Sequence, residues 1–115
     1  MGEGMRPLTF LFGCLLFVSI ASAGNDAEAT YKARCASCHG VNGDGNGHAQ
    51  MRVRPEDLRS PTVQKKSDEE LYNAIAQGVG HTEYPHEFSK RGLSTTQIQD
   101  LVSYIRTFAA SSKKK

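Results

Sequence analysis

Apolar positions in this chain form one continuous block followed by spaced stripes. The block is Leu8 to Ile20. Beyond it, Ala27, Tyr31 and Cys35 recur at i, i+4 and i+8, and Asn25 with Glu28 has the form of a capping box. A helix is predicted from Asn25 to about Ser37. Gly40 to Gly47 has four glycines in eight positions, which no helix or central strand favours, so it is a loop. Arg52 to Leu58 has no period. Ser60-Pro61 offers a cap with proline at the first helical position, which predicts a short helix over Pro61 to Lys66. Ser67 and Glu70 form a second capping box ahead of the stripe Leu71, Ala74, Ile75 and Val79, with Gly78 as the stop; the helix runs from Asp68 to Gln77. The last helix has Ser94 as cap, Gln97 answering it and Leu93 stapled to Ile98. Its stripe of Ile98, Leu101, Val102, Ile105 and Phe108 carries it to about Ala109. Every patterned segment is helical. Gly78 to Gly92 has no pattern, and a connection that long in a small domain is usually functional.

The apolar block follows Arg6 and precedes Ala21-Ser22-Ala23, the order of a secretory signal peptide cleaved after Ala23. Met5 is an alternative start that gives a cleaner positive region. The block is shorter than the roughly 20 residues that cross a bilayer, so no stable membrane anchor is expected. Cys14 lies inside the block rather than at its end, where a lipid-modified cysteine belongs, and leaves with the signal. The division expected is a signal over 1–23, a domain over 24–110 and a basic tail over 111–115. Glu3 and Arg6 are lost together, so the net charge stays at +2. One small domain remains; it buries only about two thirds of its unfolded surface and is marginal without help.

That help is legible at Cys35-Ala-Ser-Cys-His39. Two thiols three residues apart with an imidazole directly after them are what covalent haem attachment requires: Cys35 and Cys38 each add to a porphyrin vinyl group, and His39 becomes the proximal iron ligand. A zinc site would need a second ligand pair nearby, and a thioredoxin-like pair a strand-rich context; neither is present. In an exported chain the two cysteines left in the mature protein would otherwise close as a disulfide. Asn42, Asp44 and Asn46 imitate the start of a calcium loop, but Val53 stands where the bidentate glutamate belongs.

Taken together, these features resemble the class I monohaem cytochromes c, particularly the small bacterial periplasmic ones. The resemblance rests on Tyr31, Cys35 to Gly40, the Asn-Gly-Asp-Gly loop, Asp57-Leu58 with Ser60 to Gln64, the Ser67 to Gly80 segment and the terminal Asp100 to Arg106. It implies an all-α fold with one haem c between the crossing first and last helices and the distal loop, with Tyr31, Leu101, Tyr104 and Ile105 at the crossing. It also implies one-electron transfer between periplasmic redox partners.

One departure matters. Such cytochromes present a methionine, often before a proline, from the loop ahead of the last helix; here Tyr84 precedes Pro85, and the mature chain's one methionine is Met51. Four distal arrangements compete. His86, stiffened by Pro85, is the first expectation and gives bis-histidine iron. His81 is its alternative; an open or water-filled site shielded by Tyr84 is the third, and Met51 the fourth. His48 reads as a solvated side chain. Imidazole in place of thioether lowers the potential, so the function read here is a low-potential carrier, not an enzyme. The rivals are an open-iron protein for gas binding or peroxide chemistry and an electron-entry subunit of a larger redox enzyme. Docking through Lys65, Lys66, Lys90 and Arg91 near the haem edge is an expectation from charge alone. A monomer is expected. The interspersed charges give no basis for nucleic-acid binding, and no nucleophile, base and orienting group occur together.

Overall fold

A computed structural model describes residues 2–5, 13–16, 23–81, 84 and 86–112. Most of the apolar block, Pro85 and Lys113–Lys115 lie outside the described residues. Among those residues all regular structure is helical: α1 Ala23–Arg34, α2 Ala36–His39, α3 Pro61–Gln64, α4 Asp68–Gln77, a 3₁₀ turn Phe88–Lys90, and α5 Thr95–Ser112. The all-α expectation holds. No helix among them is long and apolar enough to cross a membrane.

Local chemistry explains the boundaries. The first predicted helix starts earlier than Asn25, so that residue lies inside α1 rather than capping it. Glu28 instead accepts from Lys32 at 2.6 Å, the favoured i, i+4 order on a helix face. The helix divides at Cys35, whose backbone (φ −122°, ψ −38°) leaves the helical region, and α2 restarts the chain for the attachment motif. Ser60 caps α3 by accepting from the Val63 amide at 3.3 Å. That helix ends at Gln64 because Lys66 N–H bonds Val63 C=O at 3.0 Å, the tighter closing pattern of a last turn.

The two remaining helices follow their caps closely. In α4, Ser67 Oγ accepts from Glu70 N–H at 3.1 Å while Glu70 accepts from Ser67 N–H at 2.7 Å. Gly78, at φ 73°, ends it in the left-handed region. Ser94 and Gln97 make the same reciprocal pair at 3.1 and 2.8 Å. Having no glycine or proline stop, α5 continues past Ala109 to Ser112.

The core is built where α1 crosses α5. Tyr31, Ile98 and Leu101 are its fully buried centre. The Tyr31, Tyr104 and Phe108 rings lie 5.1–5.3 Å apart in tilted or edge-on pairs, each adding about 0.5–1.5 kcal/mol beyond its buried area. Val63, Leu71 and Val102 form a second cluster, joined to the first through Leu58, Tyr72 and Ile75. Gln64 ties the two by donating to Leu58 C=O at 2.7 Å and Ile105 C=O at 3.1 Å. Between these clusters and the residue 78–92 connection, the packing leaves a cavity.

Candidate functional site

The attachment motif is held by the loop that follows it. Gly45 N–H donates to His39 C=O at 2.8 Å, Gly47 N–H to Cys38 C=O at 3.3 Å and Ala49 N–H to Ser37 C=O at 2.8 Å, so successive carbonyls of the motif are all satisfied. Gly47 lies so close to the Ser37 carbonyl that a Cβ there would overlap it. On the other side, Tyr31 Oη donates to Gly40 C=O at 2.7 Å. Asp44 Oδ1 accepts from Asn46 N–H at 2.9 Å, which makes the glycine loop a hydrogen-bonded turn. Among the described residues, the metal-ligating cluster lies elsewhere.

That cluster is His39, His81 and His86, whose candidate ligand atoms all lie within 4.8 Å of one another. The sequence-expected residues Cys35, Cys38, His39, His81 and His86 all line one cavity of about 960 Å³ with Met51, and Leu58, Val63, Leu71, Ile75, Leu101 and Ile105 add apolar wall. This volume is at the upper end of cofactor sites, roughly 300–1,000 Å³. Tyr84 stands half-exposed at the wall, while exposed His48 is not part of it. Of the four expected docking cations, Lys66 and Arg91 line the cavity; Arg34 and Arg54, not foreseen, line it too. Lys90 pairs with Glu87 at 3.2 Å.

Burial keeps Cys35, His39 and His86 in their neutral forms. Burial pushes the Cys35 thiol up to about 11, so it is held protonated. Burial, with His81 and His86 nearby, lowers His39 to about 4, which keeps a nitrogen lone pair available at neutral pH. His86 is likewise lowered, chiefly by burial. His39 Nδ1 and His81 Nδ1 are buried with no hydrogen-bond partner among the described residues, in rings whose centres are 6.3 Å apart. Native interiors rarely leave such atoms unpaired. Two thiols at one wall, opposed imidazoles with unspent nitrogens and an apolar lining fit a covalently held iron macrocycle.

Sequence reasoning missed the partners of His81 and His86. His86 Nδ1 lies 3.3 Å from Ile75 C=O, His86 Nε2 lies 3.0 Å from His81 Nε2, and Phe88 packs 5.0 Å from the His86 ring. Arg34 stacks over Phe88 at 5.0 Å and donates to Arg91 C=O at 3.2 and 3.3 Å, fastening the distal segment to the residue before Cys35. No periodic signal marks such long-range links.

No curated protein sequence matches the chain. The family model for cytochrome c matches residues 25–109, the span holding both the motif and the helices that enclose the cavity. This chain belongs to the cytochrome c family: it is a class I c-type cytochrome of all-α fold that binds haem c covalently through cysteine, and its haem-based electron transfer engages redox partner proteins.

Proposed function

We propose that this chain is an exported one-electron carrier whose haem is tethered through Cys35 and Cys38, held proximally by His39 and closed distally by a histidine of the His81–His86 pair. Residues 1–23 are removed on export and residues 24–110 form the working domain. Class I cytochromes c are typically exported, which agrees with the leader-like order of Arg6, the apolar block and Ala21-Ser22-Ala23. The observation that carries the reading is the gathering of His39, His81 and His86 at one cavity with their candidate ligand atoms close together. Two imidazole nitrogens bound to one metal at roughly 2.0–2.1 Å would lie at most about 4 Å apart, and the candidate ligand atoms of the three histidines lie within 4.8 Å of one another. Adding half an imidazole on each side gives ring centres about 6 Å apart, against the 6.3 Å between His39 and His81.

Bound here, haem supplies a ferrous–ferric couple that takes up and releases one electron. The chain's residues set how that happens. Cys35 and Cys38 hold the group on α2, and His39, neutral by burial, supplies a lone pair without first losing a proton. His39 with a histidine of the His81–His86 pair would give the iron the same ligands in either oxidation state, so little would move when charge changes. Leu58, Val63, Leu71, Ile75, Leu101 and Ile105 exclude water. Imidazole where relatives present thioether lowers the potential, and each drop of about 59 mV changes the equilibrium with a given partner tenfold. Lys66 and Arg91 at the cavity wall favour acidic partners.

Near-infrared magnetic circular dichroism of the ferric protein, with a potentiometric titration, tests this. A bis-histidine charge-transfer band and a midpoint below methionine-ligated relatives are expected. A high-spin ferric signal, with carbon monoxide binding to the reduced iron without displacing a ligand, would overturn it in favour of an open site; a histidine–methionine band would implicate Met51.

A further inference from the structure

The two distal histidines are not equivalent, and one backbone carbonyl distinguishes them. Ile75 is in the last turn of α4, where C=O groups lack intrahelical partners. Its carbonyl only accepts, so the contact at 3.3 Å requires that His86 Nδ1 carry the proton. In the tautomer that this contact selects, Nε2 is the acceptor. That Nε2 lies 3.0 Å from His81 Nε2, and two ring nitrogens at this distance share one proton, which must come from His81. A His81 tautomer that donates through Nε2 keeps its lone pair on Nδ1, the nitrogen that is buried without a partner. His81 is also the ring that faces His39 at 6.3 Å, while His86 stacks behind it at 3.9 Å.

We infer that His81 is the distal iron ligand, through Nδ1, and that His86 is a positioning residue that accepts the His81 Nε2–H and is itself anchored on the Ile75 carbonyl. The assignment rests on the bis-histidine reading and reverses the roles expected from Pro85. It gives the distal ligand a hydrogen-bonded support of the kind that fixes the tautomer of metal-bound histidines and raises their basicity. Ser89 strengthens the same anchor by donating to the adjacent Ala76 carbonyl at 2.7 Å, so the last turn of α4 holds the distal segment at two points.

The test uses the haem-loaded protein and three variants, His81→Ala, His86→Ala and His86→Gln, each followed by near-infrared magnetic circular dichroism, reduction potential and cyanide affinity of the ferric form. His86→Ala is expected to keep the bis-histidine band, raise the potential and bind cyanide roughly 10–100-fold more tightly, the range over which a metal site weakens when a ligand loses its outer partner. Glutamine has an amide oxygen to accept from His81 and an amide N–H to reach Ile75 C=O, so His86→Gln recovers most of the wild-type potential and cyanide affinity. His81→Ala loses the band. Retention of the band in His81→Ala with its loss in His86→Gln would make His86 the ligand and overturn the inference; an unchanged potential and cyanide affinity in His86→Ala would overturn its positioning role. Absence of the band from the wild-type protein is a separate result that defeats the bis-histidine reading itself.

Discussion

Tyr31 and Gly40 are joined across the attachment motif by a 2.7 Å hydrogen bond from the buried phenol to the carbonyl that follows His39. Burial first, with the nearby Cys35, pushes the phenol well above its usual range, so it remains a donor at any working pH. Tyr31→Phe keeps the ring packing and removes that bond. Gly40 C=O retains Gly43 N–H at 3.0 Å, so the loss is about 0.5–1.5 kcal/mol. The denaturation midpoint of the haem-loaded protein is expected to fall with an unchanged slope.

Gly43 and Gly92 separate two effects of adding a methyl group. Both have positive φ, 72° and 93°, but a Cβ at Gly43 would stand 2.7 Å from the Phe108 ring, whereas one at Gly92 meets nothing within 4 Å. Gly92→Ala should cost about 1–2 kcal/mol from backbone strain alone. Gly43→Ala adds about 1–3 kcal/mol of overpacking, so its thermal midpoint should be clearly the lower of the two.

The start of α4 supplies a pH-dependent test. The backbone N–H of Ser67 holds the Glu70 carboxyl below its ordinary value. A carboxylate depressed in the folded state binds fewer protons there than when unfolded. Its stabilisation is therefore present above the ordinary carboxylate pKa, about 4.3, and is lost as pH falls through the lowered folded value. Glu70→Gln should flatten this part of the stability–pH curve, and Ser67→Ala should cost about 1 kcal/mol at neutral pH. Denaturant titrations between pH 7 and pH 3 check both.

Arg34 fastens the segment ahead of α5 through the Arg91 carbonyl and the Phe88 ring. Arg34→Ala removes the bonds to Arg91 C=O and the stack on Phe88, together about 1–2 kcal/mol at a partly exposed site. Cyanide should enter the ferric protein roughly 10-fold faster, with little change in potential. Lysine cannot reproduce the paired donors or the planar stack, so Arg34→Lys should behave like the alanine variant in stopped-flow measurements.

Attachment through Cys35 and Cys38 is tested one thiol at a time. Cys35→Ser and Cys38→Ser should each retain haem on the denatured chain through one remaining thioether, with a shifted absorption band. The double variant should release all of it on acid extraction.

Much of the fold was legible because its instructions are local. The reciprocal pairs Ser67–Glu70 and Ser94–Gln97 declare α4 and α5 within a few residues of each start. Asn25 and Glu28 show the same letters, but Glu28 has Lys32 one turn on and pairs there, so the predicted boundary was misplaced. The motif from Cys35 to His39 was legible because covalent chemistry fixes its spacing. Different roles for His81 and His86 were not, since they depend on the carbonyl of Ile75, eleven residues before His86 and on another element. Arg34 over Phe88 was equally hidden.

The crossing of α1 and α5 sets an order of assembly. The thiols stand early in the chain, but the ring that packs under Gly43 is Phe108 and the one beside Tyr31 is Tyr104. Until residues 95–108 have been synthesised, the first helix has no surface to pack on and the attachment motif cannot be enclosed. Enclosure of Cys35 and Cys38 therefore waits on the last helix, and both thiols stay within reach of a macrocycle for as long as residues 95–108 are undocked.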